Sequence, residues 1–118
     1  MNLESIRDYC LALPGVTEEL PFGPQTLVFK VAGKVFLLTP LDSPSISFNA
    51  KCDPEKAIEL RETYPDVKPG FHMNKKHWNT VLVTGRIPAE HLYSWIKDSY
   101  ELVVKSLPKK DQLAMAQS

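Results

Sequence analysis

Three strand-patterned segments follow one another between Leu27 and Lys51, joined by links too short for anything but hairpins. In the first, Leu27, Phe29 and Val31 share one face while Val28 and Lys30 share the other. Ala32-Gly33 fits a tight hairpin turn, and Val35 to Thr39 returns as a second strand. Asp42, Ser43 and Pro44 make the next turn. Ile46, Phe48 and Ala50 then alternate with Ser47, Asn49 and Lys51, the pattern of a half-exposed strand. A parallel pair would need a crossover of about a dozen residues. The three strands are therefore antiparallel neighbours, and the rest of the chain must pack around that meander.

Helical periodicity frames the meander. Asn2 caps a first helix with Glu4 in its opening turn, and Leu3, Ile6, Tyr9, Cys10 and Leu13 give it an apolar face until Pro14-Gly15 stops it. Residues 14–25, with Pro14, Pro21 and Pro24, read as an ordered loop. Asp53-Pro54-Glu55 starts a second helix that Pro65 ends. After Pro69-Gly70, Phe71 to Asn74 suggests a short strand and Trp78 to Thr84 a stronger one, rich in Thr and Val. Pro88 opens a long helix with a broad apolar face from Leu92 to Leu107. Beyond Lys110 the pattern predicts a frayed tail or a short helical turn. The expected architecture is an α+β two-layer sandwich in one domain, residues 1–118. It has a five-stranded antiparallel sheet, helices on one face and the order α-β-β-β-α-β-β-α.

Composition narrows the function. The 118 residues are 43% hydrophobic and 24% charged, enough for one core and an ordinary surface. No apolar run approaches the roughly twenty residues of a membrane span. No secretory signal opens the chain, and its cysteines, Cys10 and Cys52, read as buried thiols in a reducing, cytoplasmic setting. The formal charge is zero, yet no Asp or Glu occurs between Val67 and Ala89. That window holds Lys68, His72, Lys75, Lys76, His77 and Arg86.

Several blocks resemble the MmcQ/YjbR family of small bacterial proteins, over nearly the whole chain. They are Leu13-Pro14-Gly15 with Glu18, Pro21-Phe22-Gly23, Phe29-Lys30-Val31 with Gly33-Lys34, Lys51-Cys52-Asp53-Pro54, Leu60-Arg61 and Tyr64-Pro65. The most specific is Pro69-Gly70-Phe71-His72-Met73-Asn74-Lys75 with His77-Trp78-Asn79-Thr80-Val81. Gly85, Ile87-Pro88, Ser99-Tyr100 and Leu107-Pro108 complete the resemblance. Tyr is common in the family where this chain has Phe71. The resemblance implies a CyaY-like or secretion-chaperone-like α+β fold with a single five-stranded sheet, and a double-wing DNA-binding role.

The residues themselves bear on four chemistries. His72 and His77 stand on opposite faces of a strand, or about 140° apart on a helix, with no obvious third ligand, so no metal site is expected. Cys52 precedes a helix, where the dipole lowers a thiol pKa, but Asp53 beside it opposes that. No phosphate-cradling glycine loop and no Ser-His-Asp signature occur, and no catalytic residue or cofactor is expected. There remains a basic hairpin, or wing. Lys75 and Lys76 at its tip would meet phosphates, Lys68 and Arg86 would add charge with His72 and His77 beside them, Asn74 and Asn79 would add hydrogen bonds, and Trp78 would stack on a base. Structural readings compete at each position: lysines for solubility, Asn74 for turn geometry and positive φ, Trp78 for core filling. With roughly four phosphates neutralised, the salt slope would be roughly −3.6, or a roughly hundredfold loss from 50 to 200 mM salt.

The expectation is thus a non-enzymatic, cofactor-free binding protein with DNA as partner. The alternative is a small-molecule or protein- and peptide-binding module on the open face of the sheet. There Lys30, Lys34 and the Phe71–Thr80 corner would hold an anionic group, in a monomer or weak homodimer.

Overall fold

The computed structural model describes residues 1–116. Helix α1 (Leu3–Ala12) is followed by four strands, β1 (Val16–Glu19), β2 (Thr26–Val31), β3 (Lys34–Pro40) and β4 (Ser47–Lys51). Then come α2 (Pro54–Thr63), β5 (Val67–Pro69), β6 (Trp78–Leu82), α3 (Ala89–Lys105) and α4 (Lys109–Ala116). The fold is α+β with an antiparallel sheet, but the sheet has six strands, in the order β1-β2-β3-β4-β6-β5. Among the described residues, no helix is long and apolar enough to cross a membrane.

The additional strand is Val16–Glu19, inside the stretch expected to be a loop. It pairs with β2 so that Val16 and Glu18 face the helices. A carboxylate is tolerated there because Arg7 of α1 donates two hydrogen bonds to Glu18, at 2.6 and 2.7 Å. The guanidinium holds the Glu18 carboxyl below its ordinary range. The short strand expected over Phe71–Asn74 lies instead at Val67–Pro69, just before the Pro69-Gly70 turn. The tail beyond Pro108 forms a full helix, α4.

Register partners share a face of the sheet. On one face Phe29, Val31, Leu37, Phe48, Ala50 and Val81 pack with Ile6, Cys10, Trp95, Ile96 and Val103 from α1 and α3. Each fully buried large apolar side chain contributes about 1.5–3 kcal/mol by leaving water. Strand β3 does not alternate cleanly across this layer. Val35 pairs with Lys30 and Leu37 with Phe29, so Phe36 is an extra residue, a β-bulge. Phe36 and Leu37 both turn to the helices, and the Phe36 ring meets Tyr100 edge-on at 5.5 Å. The displaced Phe36 carbonyl accepts from the buried Ser99 hydroxyl at 2.5 Å, and Ser99 Oγ accepts from Lys51 N at 2.8 Å. Past the bulge the alternation restarts. Val35 and Leu38 therefore both lie on the other face, not Phe36 with Leu38 as simple alternation predicts.

The β2–β3 hairpin turn is left-handed at both central residues, Ala32 at φ 50° and Gly33 at φ 78°. Glycine accepts this freely, whereas an L-alanine costs roughly 1 kcal/mol there. Ala32→Asn is expected to stabilise the protein by about 0.5–1 kcal/mol, because asparagine is preferred at the first centre of such a turn. The check is a higher urea midpoint with an unchanged slope; a lower midpoint refutes the turn assignment.

Candidate functional site

Two turns in succession build the segment between β5 and β6. Gly70 N donates to Trp78 O at 2.8 Å, closing the segment at its base. A Cβ on Gly70 would lie 2.8 Å from Trp78 Cβ and 2.9 Å from Trp78 O, so only glycine fits. Met73 N donates to Gly70 O, with His72 between them at φ 58°. Positive φ thus falls on His72, not on Asn74. Asn74 shapes the second turn through its side chain, whose Oδ1 accepts from Lys76 N at 2.9 Å.

An arginine holds this segment from below. Arg61 of α2 donates from Nε to Asn79 Oδ1 at 2.7 Å, and from Nη2 to the carbonyl oxygens of Lys75 and Trp78. Asn79 Nδ2 in turn donates to Ala57 O at 3.3 Å. Asn79 is only 2% exposed and turned toward α2, so it cannot contact a partner; it is a buried joint, contrary to expectation. Lys75 is exposed, but its ammonium donates to Gly70 O at 3.1 Å. Trp78 and His77 are half-buried, and His77 O accepts from Cys52 N at 2.7 Å.

The expected cations do not converge. Lys75 and Lys76 border a hollow with Pro54, Ile58 and Arg61, on the α2 side. Lys68 pairs in register with Thr80 and faces the opposite, open side. Arg86 sits by the buried Asp66 carboxylate at 3.4 Å, and Thr84 Oγ1 also donates to Asp66. Lys30 shares the open face with Val35 but is paired with Glu19 at 2.6 Å, and Lys34, on the helix side, approaches Ser106; neither of these two lines the groove. Among the described residues, no three His, Cys, Asp or Glu side chains cluster as metal ligands would. Burial pushes the Cys10 thiol up to about 12, and burial also raises Cys52, so both are protonated at neutral pH.

The open face holds a different feature. A groove of about 530 Å³ runs over Thr26, Val35, Leu38, Pro40 and Asn49, walled by Phe22 on one side and by Phe71, His72 and Met73 on the other. Phe22 and Phe71 are 72% and 68% exposed, unusual for side chains of that size. The wall is set by one hydrogen bond: Phe71 N donates to Thr80 Oγ1 at 2.9 Å. The Thr80 hydroxyl then donates to Asn49 Oδ1. Sequence reading missed Asn49, Thr80 and Arg61 as organisers, because each acts through residues distant in sequence. The signal that could have found the groove is the run of apolar residues from Val35 to Leu38, which puts apolar side chains on both faces of β3.

Truncating Asn79 to alanine leaves the Arg61 guanidinium and the Ala57 carbonyl without their shared partner. The expected cost is about 2 kcal/mol of stability. Equilibrium unfolding of Asn79→Ala measures it, and a change within experimental error would show that the joint is dispensable.

Comparison with known proteins finds relatives that match this chain over most of their own length. It is 42% identical over 109 residues to the uncharacterized protein YbdF of Escherichia coli O157:H7, covering 92% of this chain and 89% of that one. It is 29% identical over 117 residues to the uncharacterized protein YjbR of Escherichia coli K12, covering 99% of both. The crystal structure of Deinococcus radiodurans protein DR2400, with domain DUF419, superposes with a TM-score of 0.92 at 36% identity, covering 98% of this chain and 88% of that one. A crystal structure from Pseudomonas syringae gives 0.76 at 29% identity, covering 86% and 98%. The YjbR family model matches residues 11–102, and the chain belongs to the YjbR (MmcQ) family.

Proposed function

We propose that this protein is a non-enzymatic binding domain whose ligand seat is the groove on the open face of the sheet, between Phe22 and Phe71. The observation that carries this reading is the pair of exposed phenylalanines flanking an apolar floor of about 530 Å³. That volume is typical of small-molecule sites, which are largely apolar with a few placed polar groups. Exposing two such rings to water is unfavourable, and a ligand that covers them recovers about 1.5–3 kcal/mol from each. The setting proposed is the cytoplasm, as a monomer or weak homodimer with no cofactor. Its two cysteines are free thiols.

A second reading, DNA binding through the basic turn, has one observation in its favour. Lys68 and Lys76 are exposed and, among the described residues, carry no ion pair, and no acid lies between Val67 and Ala89. It has fewer usable groups than the sequence suggests, since Asn79 is buried and Arg86 is engaged. With roughly three phosphates met, the salt slope falls to roughly −2.7 and affinity drops roughly fortyfold from 50 to 200 mM salt.

Two folded variants separate the readings. Phe22→Ser with Phe71→Ser is expected to weaken binding of the fluorescent probe 1-anilinonaphthalene-8-sulfonate by roughly tenfold or more. Lys75→Glu with Lys76→Glu is expected to leave it within about twofold. If the phenylalanine variant binds the dye as the parent does, while the lysine variant loses salt-dependent retention on duplex DNA, the groove reading fails and the DNA reading replaces it.

A further inference from the structure

The groove's polar groups have a direction. Phe71 N–H can only donate, so it fixes the Thr80 oxygen as its acceptor. The Thr80 hydroxyl donates to Asn49 Oδ1, which leaves the amide nitrogen for other partners. What remains on the groove side is the Asn49 –NH2, a donor with no acceptor among the described residues. His72 on the wall carries an N–H in either tautomer. The Thr26 hydroxyl on the floor can act either way.

Charge on this face has the same sense. Val28, Leu38, Asn49, Thr80 and Lys68 stand in one register row across β2, β3, β4, β6 and β5. Lys68 is two strand spacings from Asn49, about 10 Å, and Lys51 shares the open face through its pairing with Trp78. Strands β2 to β6 place no carboxylate on this face. The face's one strand-borne acid, Glu19 on β1, is held by Lys30 at 2.6 Å.

Resting on the groove reading, we infer that the natural ligand is a free small-molecule carboxylate with an apolar, ring-sized body. The body lies on Val35, Leu38 and Pro40 between the two phenylalanines. The carboxylate accepts from Asn49 Nδ2 and the His72 imidazole, with Lys51, two residues along β4, as the nearer charge and Lys68 a more distant, largely screened one. An amine of the same shape would place its donors against donors and its charge against lysines.

Three compounds sharing one body test this: naphthalene-2-carboxylate, naphthalene-2-carboxamide and 2-naphthylmethylamine, each titrated calorimetrically into the intact protein. The carboxylate is expected to bind at least roughly tenfold more tightly than the amine, with the amide between, since a hydrogen bond to a charged group exceeds a neutral one. Asn49→Leu, close in size but without the donor, is expected to shrink that ratio to within roughly threefold. His72→Gly removes the imidazole while suiting φ 58°, and serves as the second reading should Asn49→Leu fail to fold. Equal affinities, a preference for the amine, no binding of any of the three, or an undiminished carboxylate preference in the folded variants would each overturn the inference. Dye binding that depends on Phe22 and Phe71 without any carboxylate preference overturns the ligand class and leaves the groove reading standing. A concentration-dependent dimer that excludes both dye and carboxylate makes a second copy the occupant and overturns both.

Discussion

Arg61 is the interaction on which the functional end of the molecule depends. A guanidinium offers five donors in a rigid fork, and here they gather the Asn79 amide and the Trp78 carbonyl of β6 together with the Lys75 carbonyl of the irregular segment before it. The segment is thereby fastened to α2 on one side of the sheet. Its first turn can then lie over the other side, where Thr80 receives Phe71 N. Lysine, with one point of charge, would not bridge the three acceptors in the same geometry. The buried Asn79 completes the arrangement by passing the connection to Ala57.

The bulge at Phe36 determines what that turn lies over. Without it, β3 would turn Phe36 and Leu38 to one side and Val35 and Leu37 to the other. With it, two large side chains enter the core together, and Val35 and Leu38 both remain on the open face. The irregular backbone is satisfied by Ser99, a polar residue in a helix face that is otherwise apolar. Core packing and groove floor are therefore set by the same one-residue insertion. Mutations that relieve the bulge would alter both layers at once.

Much of this was legible in the sequence, and the gaps have physical causes. The meander, the Ala32-Gly33 turn, the Asp53-Pro54 helix start and the long α3 all follow from local pattern, and local pattern is readable. Strand β1 was not, because Glu18 and Glu19 are poor strand formers and prolines flank the segment; it forms because Arg7 neutralises Glu18 and β2 supplies the ladder. The bulge was invisible because strict alternation is the default expectation. At the site, the cluster Phe71–Thr80 stood out by composition, but the faces to which its members turn depend on long-range register. Asn79 and Thr80 are neighbours in sequence and lie on opposite sides of the sheet. Asn79 is a buried strut, and Thr80 orients the groove.

The balance between the two binding readings is finally one of screening. Exposed cations separated by more than about 8 Å act almost independently at physiological salt. Lys68, Lys75 and Arg86 are distributed over the open face, the α2 side and the Asp66 corner, so their fields do not add to a polyanion track. Apolar contact is not screened. Two exposed phenylalanines across a common floor reinforce each other for any body that touches both, at every ionic strength. On the proposed groove reading, a neutral protein with dispersed lysines gains more from covering those rings than from meeting phosphates. The cations would then have the smaller task of setting the sign of the proposed ligand.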